Sequence, residues 1–356
     1  MWIKEKIKEF LNDPQINIFL FIAGAVTLIL YCLWKYLIPV FTSVILAYIL
    51  EGLIKPLEKL KIPRNVGLFL VFFLFMTSVV FLIIWIIPIA IKEFTQFIQD
   101  LPSMFLAWKM HLQNFLKKYP ALINKLQIDS AIGFLVNEVR GLGKHALSYS
   151  IASIVSIFNF LVYLVMVPLI TFFFLKDKDS IIQFLKKLLP SNIEFTSQVW
   201  KEVNNKIAKF LQGKMWEIVI VWVASYLFFI IIKLKFALLL SLLIGLSVLI
   251  PFVGAIAMTI PVAMVAYFQW GFSNKLLITI IGYSIIQFLD GNVLVPILMS
   301  GFVNIHPVAI MIAVILFGNL WGLWGVFFAI PLLSLIHTVI KTWPRKNIME
   351  EKINEG

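Results

Sequence analysis

The apolar residues of this 356-residue chain are gathered into long unbroken runs, and such runs leave a polypeptide few places to go. About 20 mostly apolar residues are needed to cross a hydrocarbon core of roughly 30 Å at about 1.5 Å of rise per residue. Stretches at 17–34, 36–54, 66–90, 150–175, 215–232, 236–270, 276–298 and 307–340 qualify. Composition agrees, since 61% of the residues are hydrophobic and only 13% charged, where soluble domains run at roughly 45–50% and about 25%. A soluble globular protein of this length is excluded. The expected fold is all-α: a polytopic membrane protein of about eight transmembrane helices, forming one transmembrane domain over 1–356.

The net charge of +12 would, in a soluble chain, raise the question of nucleic-acid binding. Cytoplasmic loops of membrane proteins collect Lys and Arg, so no polyanionic partner is required to explain it. The one cysteine, Cys32, lies inside an apolar run and has no intrachain partner. Lys4, Lys6 and Lys8 precede the first run as in a signal peptide, but Trp34, Lys35 and Tyr36 stand where small cleavage-site residues would be needed, which predicts an uncleaved anchor. With the N-terminus inside, 20 of the 30 Lys and Arg fall in cytoplasmic segments, chiefly 55–65 and 176–214, and seven of the remaining ten share the long 91–149 loop. Both termini are therefore expected to be cytoplasmic.

Two extramembrane segments exceed plain connectors, an extracytoplasmic amphipathic insertion at 92–149 and a cytoplasmic amphipathic segment at 176–214. In the first, Phe94, Phe97, Ile98 and Leu101 recur at helical spacing. In the second, Val199, Val203, Ile207, Phe210 and Leu211 share a face opposite Lys201, Asn205 and Lys209. Each apolar face needs a cover, from the membrane interface, its own bundle or another protomer, or else serves as a gate.

Gly and Pro clusters inside a span are tolerated only where the freed backbone groups are buried in protein or face water. Two dominate the C-terminal half: LIPFVGAIAMTIP at 249–261, with Pro251, Gly254 and Pro261, and FGNLWGLWGVFFAIPL at 317–332, with Gly318, Gly322, Gly325 and Pro331. Both lie in runs of roughly 35 residues, which would extend ~50 Å if straight, so each is expected to be a broken helix or re-entrant hairpin. Paired interruptions of this kind point to a transport site, although the same glycines also suit close helix packing.

Three acids fall in or at the ends of these spans. Glu51 has Lys55 four residues on, and Glu217 follows Lys214 by three, so both are expected in interfacial ion pairs. Asp290 has no cation within four residues, and a central carboxylate costs about 2.5–3.5 kcal/mol on insertion scales. Fourteen Leu, Ile, Val and Phe in 276–298 offset that cost, provided the acid faces protein or water. Tyr283, Gln287 and Asp290, at i, i+4 and i+7, form one polar stripe running into Gly291, Asn292 and Pro296, where the helix should be disturbed. Asp290 is either a transport ligand or a structural acid pinning the break. His111, His145, His306 and His337 are scattered, and no HExxH, GxSxG or Walker-type loop is present. No metal, cofactor or catalytic activity is expected.

The stretch LDGNVLVPILMSG at 289–301, followed by Asn304, His306 and Pro307 and then by the 317–332 cluster, resembles the signature of the autoinducer-2 exporter (AI-2E) family and its PerM-like permeases. Pro39, Ala47-Tyr48, Pro56, Pro63-Arg64, Pro168 before FFFLKD, QGKMWEIVIVW at 212–222 and the 249–261 cluster agree with it. The resemblance implies an eight-helix bacterial inner-membrane transporter without a nucleotide-binding domain, assembled as a homo-oligomer. It associates the fold with export of a small signalling molecule and with sodium/proton exchange. Carried over by position, it implies Asp290, Asn292 and Pro296, with Gly318, Gly322, Gly325 and Pro331, as substrate or ion contacts. Together with Gln287, Tyr283, Pro251 and Gly254 these are the candidate binding residues. The expected function is secondary transport, by alternating access, of a small polar solute with H+ or Na+ coupling, in the efflux direction; a sodium/proton antiporter and an oligomeric passive channel are the alternatives.

Overall fold

A computed structural model describes residues 14–118, 154–187, 194–251, 253–299 and 306–342. Among them every regular element is helical. In chain order these are α1 (Pro14–Lys59), α2 (Arg64–Phe81), a π-helical turn (Leu82–Ile86), α3 (Ile87–Lys118), α4 (Ile154–Lys176), α5 (Lys178–Lys187), α6 (Glu194–Ile231), α7 (Ala237–Ser247), α8 (Val253–Trp270), α9 (Asn274–Leu289), a second π-helical turn (Asp290–Leu294), α10 (Val295–Leu298), α11 (Pro307–Trp321) and α12 (Leu323–Thr342). Five stretches are long and apolar enough to cross a membrane: Leu37–Lys59, Arg64–Ala107, Glu202–Ile231, Val253–Trp270 and Asn274–Leu298, with four shorter apolar helices besides. The protein is a polytopic all-α membrane protein. Its large exposed residues, such as Phe73, Ile256, Ile260 and Phe288, are those of surfaces that meet lipid or another apolar partner.

Backbone proximity divides the chain into two compact units, Met1–Phe72 with Ser153–Lys186, and Phe73–Ala152 with Lys187–Gly356. In the first unit, α1 runs 46 residues without interruption. The sequence reading divides it into spans 17–34 and 36–54 with Lys35 outside; no turn forms there because Trp34, Lys35 and Tyr36 all accept helical geometry, and neither Gly nor Pro punctuates the junction. Glu51 is the hub of this unit. Its carboxylate takes two hydrogen bonds from the Arg64 guanidinium, at 3.2 and 3.1 Å, and one from Lys178 Nζ at 2.7 Å. Arg64 also donates to the Leu175 carbonyl in the last turn of α4 and to Glu58. The expected Glu51–Lys55 pairing gives way because the planar guanidinium can grip the carboxylate bidentately, which a lysine one helical turn away cannot.

The second unit is organised by α6, on which α7, α9, α10 and α12 all pack. Its core gathers Val221 and Phe229 of α6, Leu240 and Ile244 of α7, and Val262 and Val265 of α8. Parts of the amphipathic faces read in the sequence find their cover inside the protein, while Phe94 stays exposed. Phe97, Leu101 and Met104 of α3 pack on this core, with Phe97 edge-on to Phe236 at 5.6 Å. Val203, Phe210 and Leu211 are buried, and Phe210 meets Phe327 of α12. The rest of the 92–149 insertion beyond Lys118 lies outside the described residues.

Both long C-terminal runs are interrupted where Pro and Gly cluster. The 236–270 run is interrupted between α7 and α8, and the 307–340 run reverses at Gly322 into the α11–α12 hairpin. Gly322 has φ 61° and ψ −138°, a region open essentially to glycine. His306 caps α11, its Nδ1 accepting from the Val308 amide at 3.3 Å. At eleven residues α7 is only ~17 Å long, half a crossing. Its entrance is a strained turn, with positive φ at Lys233 and Phe236, clamped by Gln269, which donates to the Lys233 carbonyl and accepts from the Lys235 amide, both at 2.8 Å. Phe236 at the N-cap has no polar side chain to offer; Glu93 of α3 accepts from the Leu239 amide at 2.8 Å in its place.

The 276–298 run is widened rather than broken. At Asp290–Leu294 the hydrogen bonds open to π register, with the Val295 amide donating to the Asp290 carbonyl. The cause is Pro296, which cannot donate and whose ring would strike the carbonyl four residues back. The first π turn has the same grammar: it ends where Ile87 donates to the Leu82 carbonyl, and Pro88 follows at once.

Candidate functional site

Near the middle of α6, two oppositely charged residues one turn apart are almost fully buried. Lys214 Nζ pairs with Glu217 Oε1 at 2.8 Å, with side-chain exposures of 6% and 2%. The same ammonium donates to the Val248 carbonyl, also at 2.8 Å. Val248 is the C-cap of α7, where unsatisfied carbonyls concentrate the negative end of the helix dipole. Lys214 therefore answers the Glu217 carboxylate and the end of a half-length helix at once.

Asp290 opens the second π turn, which follows α9 and packs against α6, so its half-buried carboxylate lies within electrostatic reach of Lys214 and Glu217. No cation stands within four residues of Asp290 in the chain, but the fold brings one from 76 positions away. Glu217 likewise keeps the expected lysine, though in the protein interior rather than at an interface. Three polar atoms here are buried without a hydrogen-bond partner: Glu217 Oε2, Asp290 Oδ1 and Gln287 Nε2. Two carboxylates against one ammonium, with acceptors unspent, are costly to hold in a low-dielectric interior and mark a place where something polar can bind.

The polar stripe of α9 divides by role. Tyr283 is 2% exposed, and its hydroxyl donates to the Ala255 carbonyl at 2.7 Å, tying α9 to the first turn of α8. Tyr283→Phe is expected to cost about 1 kcal/mol, the net worth of one such bond, read as a lowered denaturation midpoint with wild-type fluorescence otherwise retained. Gln287 and Asp290 continue the stripe toward Lys214. Asn292 is exposed, its side chain donating to the Phe288 carbonyl of its own helix at 2.9 Å, and Pro296 is exposed beside it.

Pro251 stands in the α7–α8 turn that Val248 opens, and Gly254 in the first turn of α8. Gly254 is required by contact, since a Cβ there would collide with the Ser247 carbonyl. Gly318, Gly322, Gly325 and Pro331 belong to the α11–α12 hairpin, which reaches α6 through Phe327 on Phe210, one turn before Lys214. A Cβ at Gly325 would collide with the Phe317 carbonyl, and one at Gly318 would come within 3.0 Å of Val326. These glycines hold the two hairpin helices together, while the charged groups lie on α6 and α9.

The residue the sequence reading undervalued is Lys214. Its signal was present: Lys214 and Glu217 are the only charges in the otherwise apolar QGKMWEIVIVW stretch. The acid-bearing π turn lies in the 289–301 motif on which, with the 317–332 cluster, the family resemblance chiefly rests, and the 212–222 and 249–261 stretches agree with it. The family described as AI-2E family transporter matches residues 16–345. The chain belongs to the AI-2E transporter family. It is 38% identical over 340 residues to the protein named "Putative permease PerM" of Escherichia coli (strain K12), covering 96% of each chain. Two further relatives are "Putative transport protein YueF" of Bacillus subtilis (strain 168), 26% identical with 84% and 81% of the two chains covered, and a "Putative transport protein" of Thermotoga maritima, 25% identical with 92% and 94% covered. The AI-2E family assignment makes this a multi-pass membrane transport protein.

Proposed function

We propose that this AI-2E family member is a secondary carrier of the bacterial inner membrane that exports a small polar solute by alternating access, driven by H+ or Na+. The observation that carries this reading is the buried Lys214–Glu217 pair with the half-buried Asp290 on the packed π turn, set against the end of a half-length helix at a chain interruption. Discontinuous helices whose ends meet charged groups are the arrangement by which carriers hold ions and solutes near the midplane. The Lys- and Arg-rich segments 55–65 and 176–214 face the cytoplasm in this reading, as the positive-inside rule favours. The exposed apolar surfaces suit assembly into a homo-oligomer as well as contact with lipid.

A second reading, a sodium/proton antiporter, is favoured by the surplus of carboxylate over ammonium in the same cluster, which would make the ion itself the cargo. One experiment separates them. Purified protein in liposomes is screened for uptake or release of small metabolites under imposed proton and sodium gradients, and in parallel for sodium-driven proton movement with no solute present. Solute counterflow that saturates supports the carrier over a passive channel. Asp290→Asn is expected to lower ion-driven flux at least about tenfold, equivalent to about 1.4 kcal/mol of barrier. Undiminished, gradient-sensitive flux in that variant would remove Asp290 from the mechanism.

A further inference from the structure

The charges of the cluster do not balance among themselves. Lys214 supplies one positive charge, and Glu217 and Asp290 supply two negative ones when both are ionised. The helices packed around them bring no further counter-ion. α7, α10 and the Trp324–Ile336 part of α12 contain no ionisable side chain. α8 carries no charged side chain, its one titratable group being Tyr267 near its far end, while on α9 Lys275 lies in the first turn, far along the helix from Asp290, and Tyr283 has committed its hydroxyl to Ala255. A net charge of this kind in a low-dielectric interior is strongly unfavourable. Meanwhile Glu217 is 2% exposed with Oε2 unspent, and Asp290 Oδ1 is buried and unspent.

We propose that Lys214, Glu217 and Asp290 form a site for one monovalent cation, in which Lys214 permanently satisfies half of a two-carboxylate site and so fixes the number of mobile cations at one. The inference deepens the transport reading, because it assigns the stoichiometry of that same site. The cation is either a proton added to a carboxylate or a sodium ion held by carboxylate oxygens. In both cases the cluster passes from a charge of −1 to neutral, and the Lys214 bonds to Glu217 Oε1 and the Val248 carbonyl need not break. Gln287, one turn before Asp290 with its amide nitrogen unspent, is the neighbouring polar group that can reorganise as the cation enters.

The test reads binding and not flux. The full-length protein in detergent is melted at alkaline pH while choline chloride is replaced by sodium chloride at constant ionic strength, and separately in choline chloride while the pH is lowered. Choline is too large to be desolvated between two side chains, so the first series reports sodium and the second protons. A ligand that binds only the folded state raises the melting temperature, and the wild type is expected to gain about 3 °C or more in one of the two series. Glu217→Gln and Asp290→Asn, near-isosteric and neutral, each leave one ammonium against one carboxylate and should lose that gain. Lys214→Gln leaves two bare carboxylates and should show a gain about twice as large; if it does not survive extraction, the two acid variants decide.

A wild-type melting temperature indifferent to both sodium and protons, or the same gain in both acid variants, would overturn the proposal. A protein that binds the cation yet carries no solute would still show the shift, so loss of the transport reading and loss of this one are told apart.

Discussion

Lys214→Met is expected to destabilise the protein by about 3–5 kcal/mol, the usual penalty for leaving one partner of a buried ion pair uncompensated. Glu217 is 2% exposed, and Lys214 is its only hydrogen-bonding partner among the described residues. The variant also leaves the Val248 carbonyl at the end of α7 without its donor. Removing both charges together is a different experiment. Lys214→Met with Glu217→Leu eliminates the desolvation cost of each and should recover part of the loss, what remains coming from the uncapped Val248 carbonyl, about 1 kcal/mol, and from Asp290 left without its cation. Thermal or denaturant unfolding of the two single variants and the double closes a double-mutant cycle. A double variant as unstable as Lys214→Met would show that the pair contributes nothing as a pair, and that volume at this position is what matters.

The hairpin glycines make the second large prediction. Gly325→Ala places a methyl group against the backbone carbonyl of Phe317, which cannot rotate aside as a side chain would, so α11 and α12 must separate. The expected cost is about 3 kcal/mol, in the upper part of the range for overpacking. Gly291 is the internal control. It lies in the second π turn with open space where a Cβ would go and no positive φ, so Gly291→Ala should be neutral or stabilise by up to about 1 kcal/mol. Equal melting temperatures for the two variants would mean that the close approach of the hairpin helices is not a constraint on the protein.

What the chain discloses before folding is set by the range over which each interaction acts. The apolar runs and their interruptions are local matters of composition, and the 249–261 and 317–332 clusters do mark the α7–α8 break and the α11–α12 reversal. The Tyr283, Gln287, Asp290 stripe follows from helical periodicity alone. The 14–59 helix was harder to read, because a second span and a continuation of the first have the same composition, and no Gly or Pro at 34–36 argued for a turn. The counter-ion of Asp290 could not be found by searching four residues either way, since Lys214 reaches it only through the packing of α6 on α9. Glu93, acting across 146 residues on the Leu239 amide, left no sequence signal at all. Each π turn ends just before a residue that is followed by proline, at Pro88 and at Pro296, yet the prolines inside α1, α4, α8 and α12 have no such turn before them, so proline alone does not announce one.

The short helix α7 owns neither of its fastenings. At one tip its Leu239 amide is taken by Glu93 from α3, and at the other its Val248 carbonyl is taken by Lys214 from α6. Between those two polar ends the flank of the rod is held by Leu239, Leu240 and Ile244 in the core, so its position along its own axis is set by two charged side chains and its seat by apolar packing. Two neighbouring helices thus hold opposite ends of about 17 Å of stiff backbone, and a change of charge on either holder acts on the same short element.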